Sequence, residues 1–308
     1  MENPVHPEAV KARLEERLER LQKSKRTAPI VAIVERFFEI EGLSQGGLMA
    51  IELFTTIVPL MIIGFAYFTG FADNANVGTM FIRQLGLTSP LDQVVRSAFG
   101  TSDGIKGVWS VVGIASFLFW GIPMSITVAA MFARAWRRPS FSVGGQLGRG
   151  SLWFLVYLTT MILRERIGFA GDHAAAARAL LLLVSLIPTW IFWSLSPVLL
   201  VRDGARGRRA LVVAGLAGVI IDGITLPVAS KVVFPMLLKG WEGFGPIGVS
   251  LTMMTWCGVV GIGWVVTACS GAILWERTAP TSTVLDAQID ELDLAVSTTG
   301  PPDAADPT

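Results

Sequence analysis

The stretch IGVSLTMMTWCGVVGIGWVVTACSGAILW, from Ile247 to Trp275, contains no charged residue. A helix needs about 20 consecutive apolar residues to cross the hydrocarbon core of a bilayer. This run exceeds that length, and five further apolar runs precede it: Gly47 to Phe71, Val108 to Phe132, Gly148 to Ile167 around an apolar centre at Leu152 to Leu163, Ala179 to Val201, and Ala210 to Val233. The third run reaches across only if Arg164 and Arg166 snorkel to the outer interface. The pattern predicts an all-α polytopic membrane protein, a six-span helical bundle over residues 47–276.

Composition agrees with this class. Of 308 residues, 52% are hydrophobic and 16% charged, against the roughly 25% charged that soluble domains carry. Two histidines (His6, His173) and two cysteines (Cys257, Cys269) are too few for a four-ligand structural zinc site. The cysteines lie in one apolar run, about 18 Å apart at helical rise, which is beyond disulfide reach. No metal and no cofactor is expected.

The segments flanking the spans are charged. Residues 1–28 form a charged N-terminal segment whose first 26 residues hold no apolar core, so no secretory signal peptide is expected ahead of the first span. Leu14, Leu18 and Leu21 lie at helical spacing there, with Glu16/Arg20 and Glu19/Lys23 four apart. A charged cytoplasmic helix, solvated or on the membrane surface, is expected, with a partner-binding coil as the alternative. Pro29 opens an amphipathic segment, residues 29–46, with Ile30, Ile33, Val34, Phe37 and Phe38 on one side. It reads as an elbow helix lying in the membrane interface. Residues 277–308 form an acidic tail in which disorder is expected. Between the first two spans, Asp73 to Gly107 reads as short interfacial helices broken at Pro90. The net charge of +1 hides an asymmetry: with the N-terminus inside, 17 of the 25 Lys and Arg fall on inner segments and 8 on outer ones. The positive-inside rule therefore places both termini in the cytoplasm. The inner Arg and Lys clusters suit anionic lipid headgroups rather than nucleic acid. Trp109, Trp136, Trp153, Trp241 and Trp275 fall at expected span ends and fit an aromatic belt.

The last span opens Phe244-Gly245-Pro246-Ile247-Gly248 and reaches Trp256, while the first contains Thr55-Thr56-Ile57-Val58-Pro59-Leu60. With the elbow, six spans and the Trp/Arg-rich end of the second span, residues 30 to 276 resemble the YihY/virulence factor BrkB family of bacterial inner-membrane proteins, formerly labelled ribonuclease BN. The resemblance implies a multi-pass protein of the bacterial cytoplasmic membrane that supports envelope integrity and transports a lipid or another envelope component. Two positions depart from the family pattern. Ile51 and Glu52 stand where aromatics precede the family's Ser-Leu-Phe-Pro element, and Thr267-Ala268-Cys269 stands where the family has Gly-Ala-Glu, with Gly271-Ala272 one turn later as the alternative. No acid carries over to that place.

An ionisable group inside a bilayer costs at least about 2.5 to 3.5 kcal/mol at a helix centre. Glu52 in the first span and Asp222 at mid-depth in the fifth are two such groups, and no basic residue is expected at their depth. Each is either part of a substrate or proton pathway facing the bundle interior, or a neutral carboxylic acid hydrogen-bonded to a neighbouring helix. Pro59, Pro123, Pro188, Pro197 and Pro227 interrupt four spans. Pro59 and Pro188 join the candidate pathway, because freed carbonyls are tolerated only against protein or a wet cavity; the alternative is that they have no such role, since prolines are also common in membrane helices without one. Short echoes suggest an inverted three-plus-three repeat: Thr56-Ile57-Val58-Pro59 with Ser185-Leu186-Ile187-Pro188, Gly121-Ile122 with Gly223-Ile224, and Ile162 to Arg166 with Ile273 to Arg277. Chance matching is the alternative. Gly144 to Gly148 reads as a flexible turn entering a span. No phosphate loop, nucleophile elbow or metalloprotease motif occurs, so no catalytic residue and no enzyme activity is expected. The competing class is a non-transporting envelope scaffold that acts through its cytoplasmic ends.

Overall fold

The computed structural model describes residues 27–68, 89, 91–93, 106–168, 175–202 and 208–279. The expected N-terminal helix, most of the Asp73 to Gly107 segment and the acidic tail beyond Ala279 lie outside the described residues. Among those described, the regular structure is entirely helical. The elements are α1 (Ala28–Glu39), α2 (Gly42–Phe68), α3 (Lys106–Ala135), α4 (Val143–Gly168), α5 (Ala175–Leu200), α6 (Arg208–Pro227), a π-helical turn (Val228–Val233), α7 (Phe234–Gly240), a 3-10 turn (Glu242–Phe244) and α8 (Pro246–Thr278).

Among the described residues, three segments are long and apolar enough to cross a membrane: Leu183–Leu200, Arg209–Gly240 and Ile247–Thr278. The outward face of α5 is consistent with a membrane protein. Leu180, Leu183, Ile187, Ile191, Leu195 and Val198 recur at helical spacing and are all exposed. A continuous apolar stripe of this length on the outside is foreign to a soluble monomer. On α6, Leu216, Ile220 and Ile224 do the same.

The long helices close a ring in chain order. α2 packs on α3, α3 on α4, α4 on α5, α5 on α6, α6 on α8, and α8 returns to α2. This order removes the inverted repeat suggested by the sequence echoes. A twofold axis in the membrane plane reverses the sense of such a ring, whereas pairing the first three helices with the last three in order preserves it. The echoes are short matches of common residues.

Small residues sit at close helix crossings. A Cβ on Gly150 of α4 would lie 2.0 Å from the Ser125 carbonyl oxygen of α3. Ser125 and Ser151 Oγ share a hydrogen bond at 3.0 Å at the same crossing. Gly144 to Gly148, expected as a turn, is the first part of α4, which begins at Val143. The prolines also behave differently from expectation. Helices run on through Pro123, Pro188 and Pro197, and only Pro227 is followed by a change of hydrogen-bond register, the π turn. A ring nitrogen that cannot donate is absorbed there by widening one turn.

The elbow is shorter than expected. α1 ends at Glu39, and Glu41 adopts φ 55° before α2 starts at Gly42. A Cβ on Gly42 would lie 2.4 Å from the Phe37 ring, so the reversal is tight. The apolar face of α1 divides in two. Ile30, Val34 and Phe38 are exposed, while Ile33 and Phe37 pack on the core. Arg36 turns inward and is buried.

Glu39 binds Arg137 through two hydrogen bonds, 2.9 Å to Nε and 2.5 Å to Nη2. Arg137 itself holds φ 49°, and the bonds Arg138 N to Ala133 O and Arg137 N to Arg134 O complete a Schellman cap on α3. The hydrogen bonds from Arg137 are the main reason that the Glu39 carboxyl sits below its ordinary value of 4.5, outweighing the upward push of partial burial, with the charges of Arg137 and Arg36 adding to them. A depressed carboxyl contributes fully above its unfolded value and loses that contribution as pH falls through the folded one. α1 is therefore expected to exchange its amide protons faster as pH drops below 4.5, after correction for intrinsic rates. Glu39→Gln should flatten that dependence; an unchanged acid response in the variant would place its origin elsewhere.

Candidate functional site

One face of α4 carries Trp153, Tyr157, Thr160 and Arg164 at spacings of four, three and four residues. Those intervals stack side chains along a single side of a helix. Here that side faces the ring interior. Trp153 is fully buried and stacks on Tyr157 at 5.7 Å between centroids, 7° from parallel. Trp264 of α8 meets both rings edge-on, 5.2 Å from Trp153 and 5.0 Å from Tyr157. Phe192 and Trp193 of α5 close the cluster, with Phe192 5.3 Å from Tyr157. Trp153 Nε1 donates to Ser196 Oγ at 2.8 Å, and Ser196 donates to the Phe192 carbonyl. The indole N–H of Trp193 and the hydroxyl of Thr189 are buried with no partner among the described residues, while the Trp264 side chain interacts with the Tyr157 hydroxyl.

Asp222 lies beside this aromatic wall. It is 3% exposed, and its carboxylate interacts with the Tyr157 hydroxyl and with Arg164. The Arg164 Nη1 to Asp222 Oδ2 distance is 3.5 Å. This corrects two expectations, that Asp222 has no basic partner and that Arg164 leaves for the outer interface. The physical reason is directional. Helical side chains lean towards the N-terminus of their helix, so the long Arg164 side chain reaches back along α4, where the Asp222 carboxylate offers the opposite charge. The guanidinium remains partly open, with its side chain 26% exposed.

Glu52 has a separate environment. Its Oε1 accepts a hydrogen bond from Thr127 Oγ1 of α3 at 2.7 Å, and Oε2 is buried with no partner among the described residues. Glu52 and Asp222 share no partner, so the structure does not join them into one site. Pro188 lies within α5, partly buried, between the buried side chains of Ser185 and Thr189. Pro59 falls within the range of α2, but its side chain lies outside the described residues.

A pocket of about 300 Å³ is lined by Phe54, Ile247, Ser250, Leu251 and Met254, between α2 and α8 and away from Asp222. Among the described residues, no three His, Cys, Asp or Glu gather to hold a metal ion. The aromatic belt also needs revision. Trp136, Trp153 and Trp275 are buried, Trp136 and Trp275 packing together at 5.6 Å, while Trp241 is exposed as a belt residue would be. The side chain of Trp109 lies outside the described residues. The Trp153–Tyr157–Arg164 face was missed in the sequence because its charge was counted by chain position; the repeat of large polar-tipped residues was the available signal.

No family model, curated protein or solved structure matches this chain.

Proposed function

We propose that this chain is a six-span protein of a bacterial cytoplasmic membrane, with both termini in the cytoplasm, that supports envelope integrity by transporting a lipid or another envelope component. The observation that carries this reading is the Arg164–Asp222 ion pair set against an aromatic wall inside a ring of apolar helices. Ionisable side chains are costly in such a place, and where they persist they tend to mark pathways for substrates or ions. The outward apolar faces of α5 and α6 support residence in lipid. The resemblance to the YihY/BrkB family supports the envelope role and the bacterial membrane.

Complementation of an envelope-defect phenotype tests this assignment. Asp222→Asn, expressed to the level of the parent, is expected to lose most rescue, and Glu52→Gln to lose less, because Glu52 has only a neutral partner on a separate helix. Full rescue by both variants overturns the assigned pathway. Removal of residues 1–26 and 280–308 separates the transporter from a scaffold. The transporter core keeps its activity without those ends, and a scaffold working through them loses it.

A further inference from the structure

We propose that Arg164 is a binding site for a phosphate-bearing anion, and that Asp222 is the internal competitor that occupies the guanidinium when the anion is absent. The proposal rests on the membrane-spanning reading above and gives the same site a ligand class.

Four observations carry it. First, the ion pair is loose. Its one contact measures 3.5 Å, whereas charge-assisted N–H···O bonds close to about 2.7–2.9 Å. Arginine offers five N–H donors in a planar fork that matches two oxygens of a carboxylate or phosphate. A single long contact leaves most of that fork unused, and no other described residue takes it up. Second, the pair is open on one side only. Asp222 is 3% exposed and the Arg164 side chain 26%, so an incoming anion meets the guanidinium and not the carboxylate.

Third, a spare donor lies in the aromatic cluster that Tyr157 joins: the indole N–H of Trp193 is buried with no hydrogen-bond partner among the described residues. Tyr157 and Arg164, both from α4, are the ionisable groups facing Asp222. From α5 and α8 come aromatic and small side chains, with the charged residues of α8, Glu276 and Arg277, at its far end. Fourth, the residues flanking the pair are apolar and outward-facing: Leu163 beside Arg164, and Ile220 and Ile224 on either side of Asp222. A headgroup with acyl chains suits that boundary, though free phosphate presents the same oxygens.

Displacement costs the pair its mutual attraction, so removing the competitor must improve binding. This sign separates the proposal from a purely structural role. The test uses the full chain in a maltoside detergent, titrated calorimetrically with dihexanoyl-phosphatidylglycerol in one arm and inorganic phosphate in the other. Arg164→Gln should reduce affinity at least tenfold. Asp222→Asn should raise it about tenfold. Arg164→Lys, which keeps the charge and the partner of Asp222 but not the fork, should lose several-fold and serves as the variant that folds if Arg164→Gln does not. Binding of the phospholipid alone identifies a headgroup as the ligand, and binding of both identifies the phosphate group. Absence of binding in both arms, or an Asp222→Asn affinity at or below that of the parent, overturns the proposal. Recovery of the chain in the membrane fraction after carbonate extraction is a separate measurement. If the chain is recovered there and neither probe binds, only the anion site falls; if it is not recovered there, the membrane reading falls.

Discussion

Gly150→Ala is expected to destabilise the helical ring by about 3 kcal/mol, whereas Gly148→Ala, two residues earlier on the same helix, is expected to stabilise it by about 0.5–1 kcal/mol. A methyl at position 150 would lie 2.0 Å from the Ser125 carbonyl oxygen, 2.6 Å from its carbonyl carbon and 2.8 Å from its Cα. All three are backbone atoms, so no rotamer change relieves the clash. α3 and α4 would have to separate along their crossing, and the Ser125–Ser151 hydrogen bond at 3.0 Å would go with it. At Gly148 a methyl meets nothing within 4 Å, and only the better helix propensity of alanine is felt. The thermal midpoints of the two detergent-solubilised variants should move in opposite directions. If both move together, the close approach of α3 to α4 is wrong.

That pair of glycines shows what can and cannot be read from the chain. Each of the six apolar runs overlaps a long helix, and among the described residues three segments are long and apolar enough to cross a membrane. The helix ends were placed less well. α2 begins at Gly42 rather than Gly47, because the break that frees it is a single residue, Glu41, in a left-handed conformation. Nothing in the composition of residues 29–46 marks that residue. Asp222 was visible as an acid in an apolar run; its partner was not. Arg164 lies 58 positions away, and linear counting assigned it to the outer boundary. Only the ring order, which brings α4 and α6 to one interior with α5 between them, makes the pair possible. Three tryptophans were misplaced for a related reason. A Trp near a span end fits a lipid interface, yet Trp136, Trp153 and Trp275 fill space between helices instead. The sequence does not say which side of a helix meets lipid when both sides are apolar.

Arg36→Met is expected to cost about 3 kcal/mol and to release α1 from the bundle. Arg36 is 3% exposed. Its guanidinium donates to the Ala135 carbonyl at 2.5 Å and to both oxygens of Glu276 at 3.0 and 3.3 Å, and it lies 3.5 Å from Glu39. One side chain thereby ties α1 to the last turn of α3 and the last turn of α8. A carbonyl at a helix end has no intrahelical donor of its own, so methionine leaves Ala135 without the donor that Arg36 supplies. Volume is nearly conserved, which isolates the polar loss from a cavity. Glu276→Gln is the calibrating variant. Its side chain is 31% exposed, water replaces much of what the carboxylate provided, and the cost should stay near 1 kcal/mol. Limited proteolysis between Ile40 and Gly42 should accelerate markedly in Arg36→Met and little in Glu276→Gln. Equal effects from both variants would mean that the ion pair, and not the bond to the α3 terminus, holds the elbow. The distinction decides how α1 is coupled to the bundle: an elbow fastened to a backbone carbonyl moves only when the end of α3 moves, whereas a pair of solvated charges would let it drift free.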